Sequence, residues 1–323
     1  LRTPAPSQAE STVRHADISL NTELSVIEKL SGFAVDANVT HKIILMVELG
    51  DLREGILPAA LEETVERVLG LRGIALAGIG TNLACFGGIK PDEENLDLLS
   101  MLAGDIEERF DMTLQYVSGG NSANHDWFMS TTDVGKINNL RLGESVFLGC
   151  ETLHRKQIPG LLADAFRLSA EVIESKVKPS KPYGETCQDA FGNVPEFSDR
   201  GPMRRVILCI GLQDVLVAGL TPRTDIDILG ASSDHILIDA KELDLKVGDE
   251  VEFNLNYGAL LSSMTSPYVA KIYVDSSRVE STDIVSEVAF QGTGSDPGIR
   301  TLDSLDWQSS DLEFEDVLFQ RFT

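Results

Sequence analysis

The first half of the chain alternates between short continuous apolar runs and apolar residues at helical spacing. The runs are typical of strands buried on both faces of a sheet, and the spaced residues are typical of amphipathic helices. The predicted strands cover residues 17–20, 42–49, 74–83, 114–117 and 137–140. Asn21 is predicted to cap the first intervening helix, which runs to about residue 35.

Repeated strand–helix units predict a parallel sheet or an α/β barrel. A closed barrel of this kind needs eight strands, and the pattern supplies five. We therefore expect the α/β fold class, with an incomplete (β/α)8 TIM-type barrel over residues 1–160. The missing strands are expected on the N-terminal side, so the sequence is expected to lack the first part of the barrel.

After about residue 160 the pattern changes to short segments that are rich in β-branched residues and separated by turns. These segments are residues 168–177, 204–211, 234–240, 250–256 and 268–274. They predict a mostly β C-terminal domain over residues 161–274. Residues 275–323 hold 11 acidic and 3 basic residues. This composition predicts an acidic, mobile tail.

Composition narrows the class of protein. Of 323 residues 42% are hydrophobic, and no run approaches the roughly 18 apolar residues of a membrane span. The net charge of -24 argues against nucleic acid as a partner, because phosphates require a basic surface. The four cysteines and five histidines show no metal-ligand spacing, so no metal site is predicted. We expect a cytoplasmic protein.

Two short motifs carry candidate chemistry. Residues 118–122 read Ser-Gly-Gly-Asn-Ser, and residues 139–144 read Asn-Leu-Arg-Leu-Gly-Glu, each at the end of an apolar run. A strand that ends in small residues exposes backbone N–H groups, which can hold a phosphate. Arg141, at the end of the next predicted strand, would point into the same pocket opening. Two ordinary polar turns are the alternative interpretation.

Seven longer segments carry a family resemblance, which covers roughly residues 1–271. They are MVELGDLREG (46–55), GIGTNLACFGG (78–88), SGGNSAN (118–124), NNLRLGESVFLG (138–149), DAFGN (189–193), LGASSDH (229–235) and YGALLSSMTSPYV (257–269). The chain resembles the alanine/ornithine racemase family of fold-type III pyridoxal-phosphate enzymes, and within it the ornithine racemase-like branch. The resemblance implies pyridoxal 5'-phosphate as the cofactor and a small amino acid as the substrate.

The resemblance also implies how the cofactor is held. Ser122, with backbone N–H groups near Gly143 and Glu144, would bind the phosphate. Arg141 would face the pyridine nitrogen and disfavour its protonation, which favours racemisation over transamination. Asn121 would line the rim of this cofactor site.

On the substrate side, the resemblance points to Arg53 and Asn82. Arg53 matches the arginine that orients the second catalytic group in alanine racemases, and it could instead bind the substrate carboxylate bidentately. Asn82 would line the substrate rim. Each arginine, taken alone, could also belong to a surface ion pair.

Racemisation needs two acid–base groups on opposite faces of the α-carbon. In the family one is the Schiff-base lysine, which lies upstream of the segment that matches Leu1. No lysine here is assigned to that role, so this chain alone is expected to be inactive. The second group is a tyrosine in a Gly-Tyr-x-Asp turn, and residues 211–214 place Leu212 at the tyrosine's position. Asp214 is the candidate base.

Asp189, Asp234 and His235 are weaker candidates for the same role, and an aspartate in a turn is often a capping residue. A non-catalytic cofactor-binding relative or inactive fragment is the alternative to a racemase. A fold-type III lyase or aldolase is a third hypothesis and would need metal ligands in the second domain. The resemblance suggests ornithine as the substrate and a homodimer as the assembly.

Overall fold

The computed structural model describes residues 2–273. The predicted tail, residues 275–323, therefore lies outside the described residues, as does residue 274. The chain divides into two compact units, Leu1–Ala165 and Phe166–Thr323, and each is described below by itself.

The first unit alternates helices and strands. In chain order they are α1 Ala9–His15, β1 Ile18–Asn21, α2 Leu24–Asp36, β2 His41–Met46, α3 Pro58–Leu69, β3 Ile74–Gly80, α4 Glu93–Phe110, β4 Tyr116–Ser118, α5 His125–Ser130 and α6 Glu144–Leu148. Two three-residue 3-10 helices, Pro6–Gln8 and Ser122–Asn124, complete the unit.

The four strands form one sheet in the order β1-β2-β3-β4, and every neighbouring pair is parallel. Apolar side chains of the strands and of α2, α3 and α4 share one core, which includes the fully buried Ile43, Leu45, Ile79 and Leu99. The near-continuous apolar character of β2 thus reflects burial, as expected for a parallel strand. The predicted α/β arrangement is confirmed.

The predicted strand at residues 137–140 is wrong in the described structure. This segment makes only one isolated parallel bridge, between Ser118 and Asn139. The side chain of Asn138 accepts from the Val117 N–H (2.9 Å) and donates to the Gln115 carbonyl (3.1 Å). The amide side chain thereby takes hydrogen bonds that a regular strand would make with its backbone.

The prediction that Asn21 caps a helix is also wrong. Asn21 is the last residue of β1, and its Nδ2 donates to the carbonyl (3.0 Å) and to the hydroxyl (2.8 Å) of Ser19. Helix α2 begins three residues later, after Glu23, without a side-chain cap. Local hydrogen bonding of the asparagine to its own strand competes with capping.

The second unit is mostly β. Its elements are β5 Leu168–Pro179, β6 Pro202–Leu208, a 3-10 helix Val217–Gly219, β7 Leu220–Pro222, β8 Asp227–Ala231, β9 Ile236–Asp239, β10 Glu250–Leu255 and α7 Tyr257–Thr265. The six strands form an antiparallel sheet in the order β7-β10-β5-β6-β9-β8. The sequence did not predict β7, β8 or α7. No strand occupies residues 268–273, contrary to the prediction for that segment.

Gly78 shows how tightly the parallel sheet of the first unit is assembled. It lies in β3 opposite Tyr116 of β4, and a Cβ atom at this position would lie 2.0 Å from the Tyr116 carbonyl oxygen. No side chain can be accommodated there without displacing the backbone of β4. The glycine therefore allows the strand pairing that brings the ends of β3 and β4 together.

Gly78→Ala should destabilise the protein by about 1–3 kcal/mol, because the added methyl group forces the strands apart. Gly32→Ala is the matched control, since Gly32 lies within α2 and nothing lies within 4 Å of its added Cβ. That substitution should stabilise the protein by about 0.5–1 kcal/mol. Denaturant unfolding measures both, and effects of the same sign would contradict the close strand approach.

Candidate functional site

Arg141 lies at the carboxyl edge of the parallel sheet, where it meets the ends of β3 and β4. Its Nη2 donates to the Thr81 carbonyl (2.8 Å) and to Asn82 Oδ1 (2.5 Å), and its Nη1 donates to Ser118 Oγ. The Arg141 backbone N–H donates to the Gly120 carbonyl at 2.9 Å. Arg141 is thus held by hydrogen bonds from both its side chain and its backbone.

The three oxygens that accept hydrogen bonds from the Arg141 guanidinium all belong to neutral groups. Burial lowers the pKa of Arg141 from its ordinary value to about 10. The group therefore remains a cation at neutral pH although it is partly withdrawn from water. Arg141 also lines a cavity of about 690 Å³, together with Asn139, Tyr116 and Ile44.

A second guanidinium lies in the same network. Arg53 donates from Nε and Nη2 to the carboxylate of Glu54, and Glu54 Oε1 also accepts from Asn82 Nδ2 at 2.8 Å. Asn82 thereby joins Glu54 to Arg141. Among the described residues no group accepts from Nη1 of Arg53, so one nitrogen remains available for a ligand.

The charge of Glu54 depends on these contacts. Burial raises the pKa of this carboxyl, but the hydrogen bonds from Arg53 and Asn82 outweigh burial and lower the pKa overall. Glu54 is therefore an anion at neutral pH. It compensates the charge of Arg53 inside the network.

Ser122 forms the centre of the cradle that the glycine-rich motif predicts. Its buried Oγ accepts from the backbone N–H groups of Gly143 (3.2 Å) and Ser145 (3.1 Å), and from Ser145 Oγ (3.1 Å). Gly120, with φ of +141°, must be glycine because a Cβ would lie 2.1 Å from Asn124 Oδ1. Several donors thus converge on one oxygen, as they would on an oxygen of an anion.

Asn121 ties this cradle to the loop that follows β3. Its Oδ1 accepts from the Ala123 N–H (2.8 Å), while its Nδ2 donates to the Leu83 carbonyl (3.0 Å) and contacts Cys85 Sγ (3.1 Å). Partial burial raises the pKa of the Cys85 thiol. Asn121 therefore lies between the cradle and the network of the two arginines.

The side chain of Glu144 does not join the cradle, because it forms an ion pair with Arg155. Nearby, Asp126, Glu151 and His154 each offer a possible metal ligand atom, and these atoms lie within 4.8 Å of one another. The Glu151 carboxylate accepts four hydrogen bonds from backbone N–H groups of its own loop. These bonds already account for a buried carboxylate in this position.

Asp214 lies in the second unit, as a buried residue of the turn that begins at Gly211. Its carboxylate accepts from Ser266 Oγ at 2.9 Å and from the Gly211 N–H at 3.4 Å. Leu212, in the same turn, is exposed. The two oxygens of Asp214 thus stabilise the turn, whatever else the residue does.

The weaker alternatives to Asp214 differ in exposure and partners. Asp189 is exposed and accepts from backbone N–H groups of Phe191 and Asn193. Asp234 pairs with His235 at 2.7 Å on the surface. These side chains are held by local contacts in their own loops.

The structure brings together six of the residues that the sequence indicated. They are Arg53, Asn82, Asn121, Ser122, Arg141 and Gly143. Sequence reasoning missed Glu54, Ser118 and Ser145, although all three lie inside motifs that it singled out. Their roles depend on which neighbour each side chain meets, and the motifs alone do not specify this.

Comparisons with known proteins identify the family of this chain. Residues 1–150 match the family model "Alanine racemase, N-terminal domain". An ornithine racemase of Acetoanaerobium sticklandii is 42% identical over 279 residues, which cover 84% of this chain and 78% of that protein. The chain belongs to the fold-type III racemase family. A lysine racemase of Thermotoga maritima, another relative, is 38% identical over 84% of this chain and 77% of its own length.

Solved structures of this family and its neighbours have the same fold at low identity. Alanine racemase from Clostridium difficile 630 superposes with a TM-score of 0.57 at 16% identity, over 85% of this chain and 75% of that chain. A D-threonine aldolase from Filomicrobium marinum gives 0.59 at 14% identity, over 80% and 67%. The predicted barrel-plus-β-domain fold class is thereby confirmed.

None of the described helices has the length and apolar character needed to cross a membrane.

The pairing of Glu54 predicts a specific dependence of stability on pH. Because the folded-state pKa lies below the ordinary 4.5, the stabilisation by Glu54 is present above that value. It is lost as the pH falls through the lower folded-state pKa. The difference in melting temperature between wild type and Glu54→Gln should therefore stay constant from about pH 7 to about pH 5 and narrow below the ordinary pKa.

Glu28→Gln is the control, since Glu28 pairs with Arg67 on the surface at 3.1 Å. Glu28→Gln should change the free energy of unfolding by no more than about 1 kcal/mol. A difference for Glu54→Gln that already narrows between about pH 7 and about pH 5 would indicate a raised pKa and contradict the pairing.

Proposed function

We propose that this chain is a pyridoxal-phosphate-dependent amino-acid racemase that acts on a basic amino acid such as ornithine or lysine. The names and identities of the two relatives support the reaction and the substrate class. The observation that carries the proposal is the partly buried, charged guanidinium of Arg141 on the segment that also supplies the donors converging on Ser122. These relatives give no support to a non-catalytic alternative.

The residues present fit the cofactor. Backbone N–H groups of Gly143 and Ser145 and the hydroxyl of Ser122 suit an anion such as its phosphate, and Asn121 and the backbone near Glu144 border the same cradle. When bound, the cofactor would supply an electron-withdrawing ring that acidifies the α-proton of the amino acid.

Arg141 would set the type of reaction. Its pKa of about 10 keeps it charged at neutral pH, and a cation beside the pyridine nitrogen opposes protonation there. With the cofactor bound, this cation would limit electron withdrawal by the ring and would thereby favour return of the proton to the α-carbon. Ser118 and Asn82 hold the guanidinium in place for this role.

Arg53 would bind the substrate carboxylate. Glu54 occupies its Nε and Nη2, so Nη1 is the nitrogen that remains to donate to the substrate. Asn82, whose side chain bonds both Glu54 and Arg141, would border the substrate between the two guanidinium groups.

We assign residues 1–160 to the cofactor-binding part, residues 161–274 to the β domain and residues 275–323 to an acidic tail. No lysine of these residues is assigned to the bond with the cofactor. A homodimer in the cytoplasm, without a nucleic-acid partner or a resident metal, completes the proposal. The negative charge of the chain is compatible with a cationic substrate.

The proposed function is tested on the natural protein by chiral chromatography of L-ornithine and L-lysine incubated with pyridoxal phosphate. D-isomer should accumulate with at least one substrate. In Arg141→Glu, racemisation should fall at least about tenfold and transamination should rise, because a carboxylate stabilises a protonated ring nitrogen.

Arg109→Gln provides the control, since Arg109 forms an exposed pair with Glu62 at 2.7 Å. It should leave both rates unchanged. Absence of any D-isomer from the wild-type protein would refute the racemase proposal. An unchanged ratio of the two reactions in Arg141→Glu would remove Arg141 from the cofactor site.

Asp214 remains the predicted second acid–base group, and Asp214→Asn separates this role from stabilisation of its turn. A catalytic role predicts a fall in kcat of about 10²-fold or more, at a roughly retained melting temperature. A role limited to the turn predicts a lower melting temperature, with kcat of the folded fraction retained. Ser266→Ala, which removes the hydroxyl partner of Asp214, is the control for loss of the turn contact.

A further inference from the structure

Asp51 is one of the most completely buried acidic residues that the structure describes, with 1% of its surface exposed. Its carboxylate accepts backbone N–H bonds from Cys85 (3.2 Å), Phe86 (2.8 Å) and Ile89 (3.4 Å). These donors belong to a loop that lies more than thirty residues further along the chain. A single side chain thus joins the segment after β2 to the loop after β3.

The backbone contact at the same place is equally close. The Gly87 N–H donates to the Asp51 carbonyl at 3.0 Å, and a Cβ on Gly87 would lie 2.7 Å from that oxygen. Leu52 and Ala84, one on each segment, have φ of 54° and 53°. Non-glycine residues adopt such angles only when the surrounding contacts hold them there.

The two joined segments carry the substrate side of the candidate site. Arg53 and Glu54 directly follow Asp51, and Asn82 and Cys85 lie on the loop after β3. Asn82 crosses between the segments through its 2.8 Å hydrogen bond to Glu54. Separation of the segments would therefore break that bond and release Glu54, together with the Arg53 that is paired with it, from Asn82.

We propose that Asp51 is a positioning residue, which clamps the loop of residues 85–89 against residues 51–54 and thereby sets the orientation of Arg53 toward the substrate. The proposal rests on the racemase function proposed above. Among the described residues the Asp51 carboxylate accepts hydrogen bonds from backbone groups only. It therefore acts through Arg53, Glu54 and Asn82 and does not touch the substrate.

The two acceptor oxygens of the Asp51 side chain suit this role. A carboxylate has two oxygens that only accept, and three N–H groups converge on them. In Asp51→Asn one oxygen becomes an NH2 group, which cannot accept, so at least one of these N–H groups loses its partner. The variant keeps the size of the side chain, so its effect reports the hydrogen bonds.

Three measurements on the natural protein test the clamp. In Asp51→Asn, amide hydrogen exchange at residues 85–89 and alkylation of Cys85 by iodoacetamide, followed by peptide mass spectrometry, should each accelerate about tenfold. The KM for the racemised amino acid should rise about tenfold, since Arg53 is no longer held for the carboxylate. A role limited to overall stability would instead lower the active fraction, and hence kcat, at unchanged KM.

Gly87→Ala provides a second route to the same state, because its methyl group pushes the loop away from Asp51 while the carboxylate stays intact. It should reproduce the faster exchange and the higher KM. Asp92→Asn is the matched control, since Asp92 accepts the Asn95 N–H at the start of α4 and asparagine caps equally well there. It should leave all three measurements unchanged.

The outcomes separate this proposal from the function on which it rests. A wild-type protein that racemises neither ornithine nor lysine refutes the function, and the exchange and alkylation rates then decide on the clamp alone. With an active wild type, faster exchange at unchanged KM would overturn the positioning role. Unchanged exchange in both variants would overturn the clamp itself.

Discussion

The partly buried guanidinium of Arg141 is held by three neutral oxygens that converge on it from the ends of two parallel strands. Thr81 and Asn82 follow β3, and Ser118 ends β4. The strand register sets Gly80 opposite Ser118, which brings these ends together. In a pair of antiparallel strands, the two carboxyl ends would lie at opposite edges of the sheet. The remaining parts of the site are arranged around this parallel edge.

Hydrophobic periodicity was sufficient to predict the strands and helices that build this edge. Strands β2 and β3 are continuous apolar runs, and α3 and α4 have apolar residues at helical spacing, so burial and sequence agree. Asn21 and the segment at residues 137–140 were wrong because asparagine side chains there bond to nearby backbone, and no periodicity signals such competition. Helix α7 was not predicted, because its buried residues include the polar Ser263, which hydrophobic periodicity does not mark.

The sequence allowed a residue of the candidate site to be predicted where its type and position suggest a single function. A glycine-rich turn after one apolar run and an arginine after the next indicated a pocket, and the Arg141 backbone N–H does donate to the Gly120 carbonyl of that turn. Asp51 and Glu54 were less accessible to sequence reasoning, since acidic residues in a polar turn usually face water. What distinguishes them is a set of partners about thirty residues away, which only the fold brings near.

The side-chain amide of Asn82 lies between a cation and an anion. The carbonyl oxygen faces Arg141, and the NH2 group faces Glu54. Neither aspartate nor lysine can satisfy both neighbours, because each offers one sign of charge to two opposite charges. Substitutions at these three positions should therefore be energetically non-additive. During divergence of related sequences, Glu54, Asn82 and Arg141 would have to change in concert, so that substrate preference evolves more readily at the surrounding rim than along this chain of hydrogen bonds.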